Sequence, residues 1–225
     1  MARISKKELK RDELIEATKG AEHWVVAHSK VVIRAAIGLV VVALVVVAAF
    51  WFAERSRASG ERLFAQAHHR FQQAQAGGPL DRAELEALLP DFERAAGNAG
   101  GKTRSLASYY EGLILHRLGR GEDAEKALQR VSNSEATQPT LAGSSQAMLA
   151  EIYAARGEAA RAIEILQGLV AADPPTFPVD QALLALGKLE RAQGDETAAR
   201  AAWQRIVDEF AARGAVDEAR RLLGS

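Results

Sequence analysis

Residues 112–131 read GLILHRLGRGEDAEKALQRV, and the spacing inside this stretch returns twice downstream, as AEIYAARGEAARAIEILQGL over 150–169 and GKLERAQGDETAARAAWQRI over 187–206. With the loop glycine as reference, Gly119 has Gly112 seven residues before it and Ala124, Leu128 and Val131 five, nine and twelve residues after it. Gly157 has Ala150, Ala162, Leu166 and Leu169 at the same offsets, and Gly194 has Gly187, Ala199, Trp203 and Ile206. The three reference glycines lie 38 and 37 residues apart. Such a spacing is that of a helical hairpin. A glycine turns the chain, a small residue on the first helix lets the second approach, and an alanine on the second faces it. The large residue and the apolar residue three further on then share one stripe that fills the gap to the next hairpin. One hairpin alone leaves that stripe in water, so the units are expected to stack.

The order of small residue, glycine, alanine and bulky apolar residue resembles the tetratricopeptide repeat family, whose period is 34 residues. The extra residues of each repeat fit the loops SNSEATQPTLAGS and AADPPTFPVD. Pro174 stands where the family commonly ends a helix, whereas Ala136 and Ala211 depart from it, as do Glu111 and Glu190 on the first helices. Three repeats are assigned to 105–214, preceded by a degenerate hairpin at 54–104 with helices at 56–76 and 81–96 around Gly77, Gly78 and Pro79. Residues 215–225 are assigned as a helix that caps the last stripe.

Upstream the chain changes character. Residues 35–52 read AAIGLVVVALVVVAAFWF, eighteen residues without a charge, preceded by Val31, Val32 and Ile33 with Arg34 interrupting. As a helix this run spans about 27 Å, against roughly 30 Å for the hydrocarbon core of a bilayer. Its eleven Leu, Ile, Val and Phe residues favour insertion by roughly 3–7 kcal/mol. Arg34 snorkels to the edge. The run is longer than a signal-peptide core, follows a 34-residue head and closes on Phe50, Trp51 and Phe52, so a retained transmembrane helix over 31–53 is favoured over a cleaved signal. The fold class is therefore all-α: a single N-terminal transmembrane helix followed by an α-α superhelical solenoid.

The chain has 225 residues, zero formal net charge and no cysteine, which excludes disulfides and thiolate chemistry. Residues 1–34 carry eight Lys/Arg against five Asp/Glu, leaving 21 against 24 for the rest. Cations flank both ends of the apolar run, Lys30 and Arg34 on one side and Arg55, Arg57 and Arg62 on the other. Because the charge rule reads short segments, the head (1–30) is placed in the cytoplasm and the repeats outside it, at the inner membrane with the domain in the periplasm. The head reads either as an amphipathic helix on anionic lipid, with Trp24 in the interface, or as a topogenic tail.

No catalytic constellation is present and no cofactor or metal is expected. His68 and His69 are adjacent, point to different sides of a helix and read as solvated. GNAGGKT (97–103) lacks the spacing of a phosphate loop and reads as a flexible inter-repeat loop. Glu122, Asp123 and Glu125 read as a solvated charged face. The resemblance to the repeat family implies protein or peptide binding on the inner surface of the first helices. The facing residues would be Tyr109, Leu113, His116 and Arg117, then Ala147, Glu151 and Ala154, then Leu184, Lys188 and Arg191. Tyr109, Arg117 and Arg191 are the preferred anchors, since aromatic and arginine side chains carry most interface energy. The Lys and Asn clamp for a C-terminal carboxylate is missing.

Head, anchor, degenerate hairpin and repeats together resemble membrane-anchored repeat proteins of the ancillary SecYEG translocon subunit type. That resemblance implies a scaffold or chaperone-like role near protein export or envelope assembly, with protein partners, an integral membrane complex among them, and no nucleic acid. Two other readings stay open: a self-associating structural protein without a client, and a regulatory sensor acting through the basic head.

Overall fold

The computed structural model describes residues 29–210 and 214–224; the expectations for the head at 1–28, including Trp24, lie outside them. Among the described residues there are nine helices and no strand. They are α1 (Ser29–Ala76), α2 (Arg82–Asn98), α3 (Gly101–Arg117), α4 (Gly121–Ser132), α5 (Pro139–Ala155), α6 (Ala159–Ala171), α7 (Val179–Ala192), α8 (Glu196–Glu209) and α9 (Ala215–Leu223). The chain divides into two compact units, Met1–Arg55 and Ser56–Ser225.

In the first unit α1 is long and apolar enough to cross a membrane, and none of its apolar window is buried. Its large side chains from Leu39 to Phe52 are between 47% and 74% exposed. The Arg55 guanidinium lies over the Trp51 ring at 5.5 Å, within the range of a cation–π contact. The helix was expected as two segments, 31–53 and 56–76; it is one, since no glycine turn or proline interrupts the backbone hydrogen bonds between them.

The second unit is a succession of hairpins: α3 packs on α4, α5 on α6, α7 on α8, and each second helix also packs on the following first helix. The turns explain the reference glycines. Gly119, Gly157 and Gly194 have φ of 76°, 79° and 88°, a left-handed conformation that costs a glycine nothing. In each case the next residue's N–H reaches back five residues, Arg120 to the Leu115 carbonyl at 2.9 Å, Glu158 to Tyr153 at 2.9 Å and Asp195 to Glu190 at 3.0 Å. Three first helices thus end in the same Schellman closure, which satisfies carbonyls that the helix leaves over.

The small residue seven before each glycine has a different partner from the one expected. A Cβ on Gly112 would stand 2.7 Å from Cγ of Leu128, and one on Gly187 would overlap Nε1 of Trp203. The large residue at offset nine therefore seats inside its own hairpin, against the small residue. Leu128 and Trp203 are both fully buried. Glu111, the departure from an apolar position, is 9% exposed and lies 2.7 Å from Arg130 of α4, which neutralises it across the hairpin.

At the start of this unit the corner between α2 and α3 packs on α1. A Cβ on Gly60 would overlap the Ala99 backbone, and Ala99 is fully buried. GNAGGKT is thus a packed corner and not a flexible loop. Asp81 opens α2 with a capping box: its side chain accepts from Glu84 N–H at 2.8 Å and its own N–H donates to the Glu84 carboxylate at 2.9 Å. Phe71, Phe92 and Tyr110 bring α1, α2 and α3 together, with ring centroids 5.1–6.0 Å apart. His68 belongs to this cluster, 5.1 Å from Tyr110 and 5.6 Å from Phe64, so it is half-buried and not solvated as expected. At the other end α9 covers Trp203, Ile206 and Leu183 with Val216 and Ala219.

Candidate functional site

The first helices α5 and α7 do not close on one another. Alanines at 147, 150 and 154 on α5 and at 185 and 192 on α7 are too short to bridge the space between the helices. They leave a groove of about 380 Å³. Leu166 from α6 and Phe177 from the loop before α7 contribute its apolar walls. Glu151, Gln181 and Lys188 supply the polar groups at its sides. This is the constitution of a recognition cleft: mostly apolar, with few directional groups.

Four of the inner-face residues proposed from sequence, Ala147, Glu151, Ala154 and Lys188, line the groove. His116 stands beside it across the repeat boundary, Nε2 lying 3.5 Å from the exposed Glu151 carboxylate. Tyr109 and Leu113 are half-buried on α3, packed against the main core, and Arg117 is exposed at the end of that helix. Burial raises the Tyr109 hydroxyl above the ordinary tyrosine range, opposed by nearby Arg117 and reinforced by Glu151. Leu184 instead joins the terminal core cluster around Trp203.

Two of the predicted inner-face residues, Arg191 and Lys188, are engaged within the domain. The Arg191 guanidinium lies over the Trp203 ring at 4.3 Å, donates to the Leu222 carbonyl at 2.7 Å and approaches Glu196 at 3.2 Å. It ties α7 to α8 and to the C-terminal end of α9, where a cation also complements the helix dipole. Arg200 does the same through the Leu223 carbonyl at 2.8 Å. Lys188 lies 2.6 Å from Glu218 and holds that carboxyl below its usual range, against the smaller opposing effect of burial.

The other seven lining residues lay outside the predicted inner face, Phe177, Gln181 and Ala185 among them. Ala185 has a sequence signal, since it lies one turn before Leu189 on the face that carries Ala192. Phe177 had a weaker one, as the lone aromatic of a proline-rich loop.

Glu125 departs from its expected solvated place. Its carboxylate accepts from Tyr153 Oη at 2.8 Å, from Arg156 at 2.5 Å and from Gln129 at 2.9 Å. Arg161 of α6 stacks on the Tyr153 ring at 4.0 Å and donates to its hydroxyl at 3.0 Å. Burial pushes the Glu125 carboxyl up, but the Tyr153 and Arg156 hydrogen bonds outweigh it and the net shift is downward. The network joins α4, α5 and α6. Among the described residues no group of three or more His, Cys, Asp or Glu side chains could hold a metal ion.

Residues 146–176 and 181–213 match the model of the tetratricopeptide repeat, which covers the second and third hairpins. No curated protein matches the chain. Among solved structures, the chain is similar to a putative kinesin light chain of Podosopora anserina with nearly identical tetratricopeptide-like repeats. The TM-score is 0.58 at 17% identity, over 73% of this chain and 84% of that one. A point variant of that protein gives a TM-score of 0.59 at 17% identity over the same shares. MamA follows with 0.48 at 16% identity, over 69% of this chain and 92% of its own. The fold is thus all-helical and superhelical, and residues 146–176 and 181–213 match the tetratricopeptide repeat, a class of repeat that serves in protein–protein interaction scaffolds.

Proposed function

We propose that this protein is a membrane-anchored scaffold that holds a protein segment in the groove between α5 and α7. The observation that carries the reading is the pairing of an apolar helical run with no buried residue and an alanine-lined cleft in the repeat array. A helix that exposes Leu39, Leu44, Phe50 and Phe52 to water is costly, by about 25 cal/mol per Å² of apolar surface, and lipid removes that cost. The domain boundaries that follow are a head at 1–30, an anchor at 31–53, a joining hairpin at 54–104, the repeats at 105–214 and the cap at 215–225. The compartment in this reading is the bacterial envelope: the cytoplasmic head is the short basic segment and the array lies on the periplasmic side, where a chaperone-like role beside the export machinery suits it.

Self-association through the ends of the array is disfavoured, because α9 covers the last stripe and the α1–α2 pair covers the first. The test is photo-crosslinking in native membranes from Ala185→benzoylphenylalanine, with Gln204→benzoylphenylalanine on exposed α8 as the control. A distinct protein captured from position 185 and not from 204 is the expected result. Capture of this chain alone from position 185 would contradict the scaffold and favour self-association.

A further inference from the structure

Among the described residues, most cations of the repeat unit are paired with a carboxylate. The cations of α4, α6, α8 and α9 that were described above or lie on the same faces, such as Arg120, Arg130, Arg161 and Arg205, each sit within 4 Å of a carboxylate. The corner between α2 and α3 is different. Residues 97–104 carry Lys102 and Arg104 and no acidic residue. Among the described residues neither cation meets a carboxylate, and Arg104 donates instead to the Ala99 carbonyl at 2.8 Å. The Arg57 side chain runs along Gly100, its Cγ 3.2 Å from where a Cβ on that glycine would be. Residues 97–104 thus hold two cations and no carboxylate, in a unit whose overall balance is acidic. The later corners at the same ends of the hairpins, 133–138 and 172–178, carry Glu135 and Asp173 and no cation.

The basic corner also has a defined place along the chain. Ser56 donates to the Asn98 carbonyl at 3.4 Å and Gly60 abuts Ala99, so the corner is pinned to the residues that follow the apolar run most closely. Ser56 is four residues beyond Phe52, about 6 Å in a helix and no more than about 14 Å fully extended. If Phe52 ends the buried run, chain connectivity alone keeps Ser56, and the corner packed on it, within reach of the phosphate layer.

We infer that this corner is a docking surface for the phosphates of anionic lipids, with Lys102 and Arg104 as its cations. The inference rests on the anchor reading. Each Lys or Arg near an anionic surface strengthens association about fivefold, so two of them bias a tethered domain about 25-fold toward the surface. The tight glycine corner suits this use because Gly100 and Gly101 add no side chain between the cations and the lipid.

The test uses the full chain, which has no native cysteine to interfere with a single label. Gly97→Cys, at an exposed position with open space around it, takes a fluorophore. The protein is reconstituted into phosphatidylcholine vesicles with or without about a third phosphatidylglycerol, each carrying a headgroup-attached acceptor. Energy transfer should rise in the anionic vesicles and fall back at 1 M salt, where the Debye length is about 3 Å. It should also fall back in Lys102→Gln/Arg104→Gln, whose unchanged far-ultraviolet circular dichroism and thermal midpoint would show an intact fold. Arg104→Lys should retain the rise, which separates loss of charge from loss of the bond to Ala99. Flotation with the neutral vesicles reports on the anchor separately. A chain that floats while its energy transfer is the same in both vesicle types overturns the docking surface alone; a chain that does not float overturns the anchor and the docking surface with it.

Discussion

Gly187 and Trp203 form a tight pair within the third hairpin, and their relation is a property of single residues. A methyl group on Gly187 would overlap the indole nitrogen, and the indole is enclosed by Arg191 and the cap, so it has no room to withdraw. Gly187→Ala is expected to destabilise the domain by about 1–3 kcal/mol in chemical denaturation, the range for overpacking. The second repeat carries Ala150 and Leu166 at the same two offsets, both buried. Gly187→Ala/Trp203→Leu should therefore cost less than the sum of the single changes, with a coupling of about 1 kcal/mol or more. Strict additivity would show that the two residues do not share one space. The spacing of small residue, glycine and large residue was legible in the sequence because each is set by backbone geometry within one hairpin. The partner choice was not, since offsets along the chain do not say which of two residues on α8 faces α7. Arg191 shows the same limit: its place on the inner face followed from the period, but its engagement with Trp203 and Leu222 depends on a helix some thirty residues away.

At the scale of elements, the joint between α4, α5 and α6 depends on a titratable group. The folded protein holds Glu125 below the usual glutamate range, so the ionised form is favoured by folding. A depressed carboxylate contributes stability that is complete above its unfolded value of about 4.3 and is lost as pH falls through the folded value. Glu125→Gln keeps an acceptor for Tyr153 but loses the charge that Arg156 meets. At pH 7 the variant should be about 1–2 kcal/mol less stable, on the scale of a hydrogen bond to a charged group. Below about pH 4 the difference should shrink toward zero. A difference that is unchanged down to pH 3 would mean that the ion pair is not what joins the helices. Sequence reading placed Glu125 in solvent because arrays usually carry charge on that face. The contrary signal, a tyrosine and two arginines on the next hairpin, becomes visible only when α5 and α6 are seated on α4. The groove was half legible for a related reason: Ala147 and Ala154 on α5 were on the predicted face, whereas Ala185 and Ala192 on α7 were not, and Phe177 enters from a loop whose path no periodicity determines.

On the scale of the whole molecule, two designs share one polypeptide. The repeat unit buries its apolar stripes by stacking and closes both ends, while the N-terminal helix buries none of its apolar window. The fold class was legible from these two patterns because both are long and periodic, and neither depends on a single contact. What binds in the groove was not legible, since alanines define a space and not the identity of its occupant. The claim on which the account rests is that lipid covers the apolar run of α1, and the most direct measurement is alkaline extraction of membranes from cells expressing the full chain. The protein should remain in the membrane pellet at pH 11. Val42→Arg/Val46→Arg, which opposes insertion by about 6–8 kcal/mol and so exceeds the roughly 3–7 kcal/mol favouring it, should release it to the supernatant. Recovery of the unaltered chain in the supernatant, without detergent, would contradict the account.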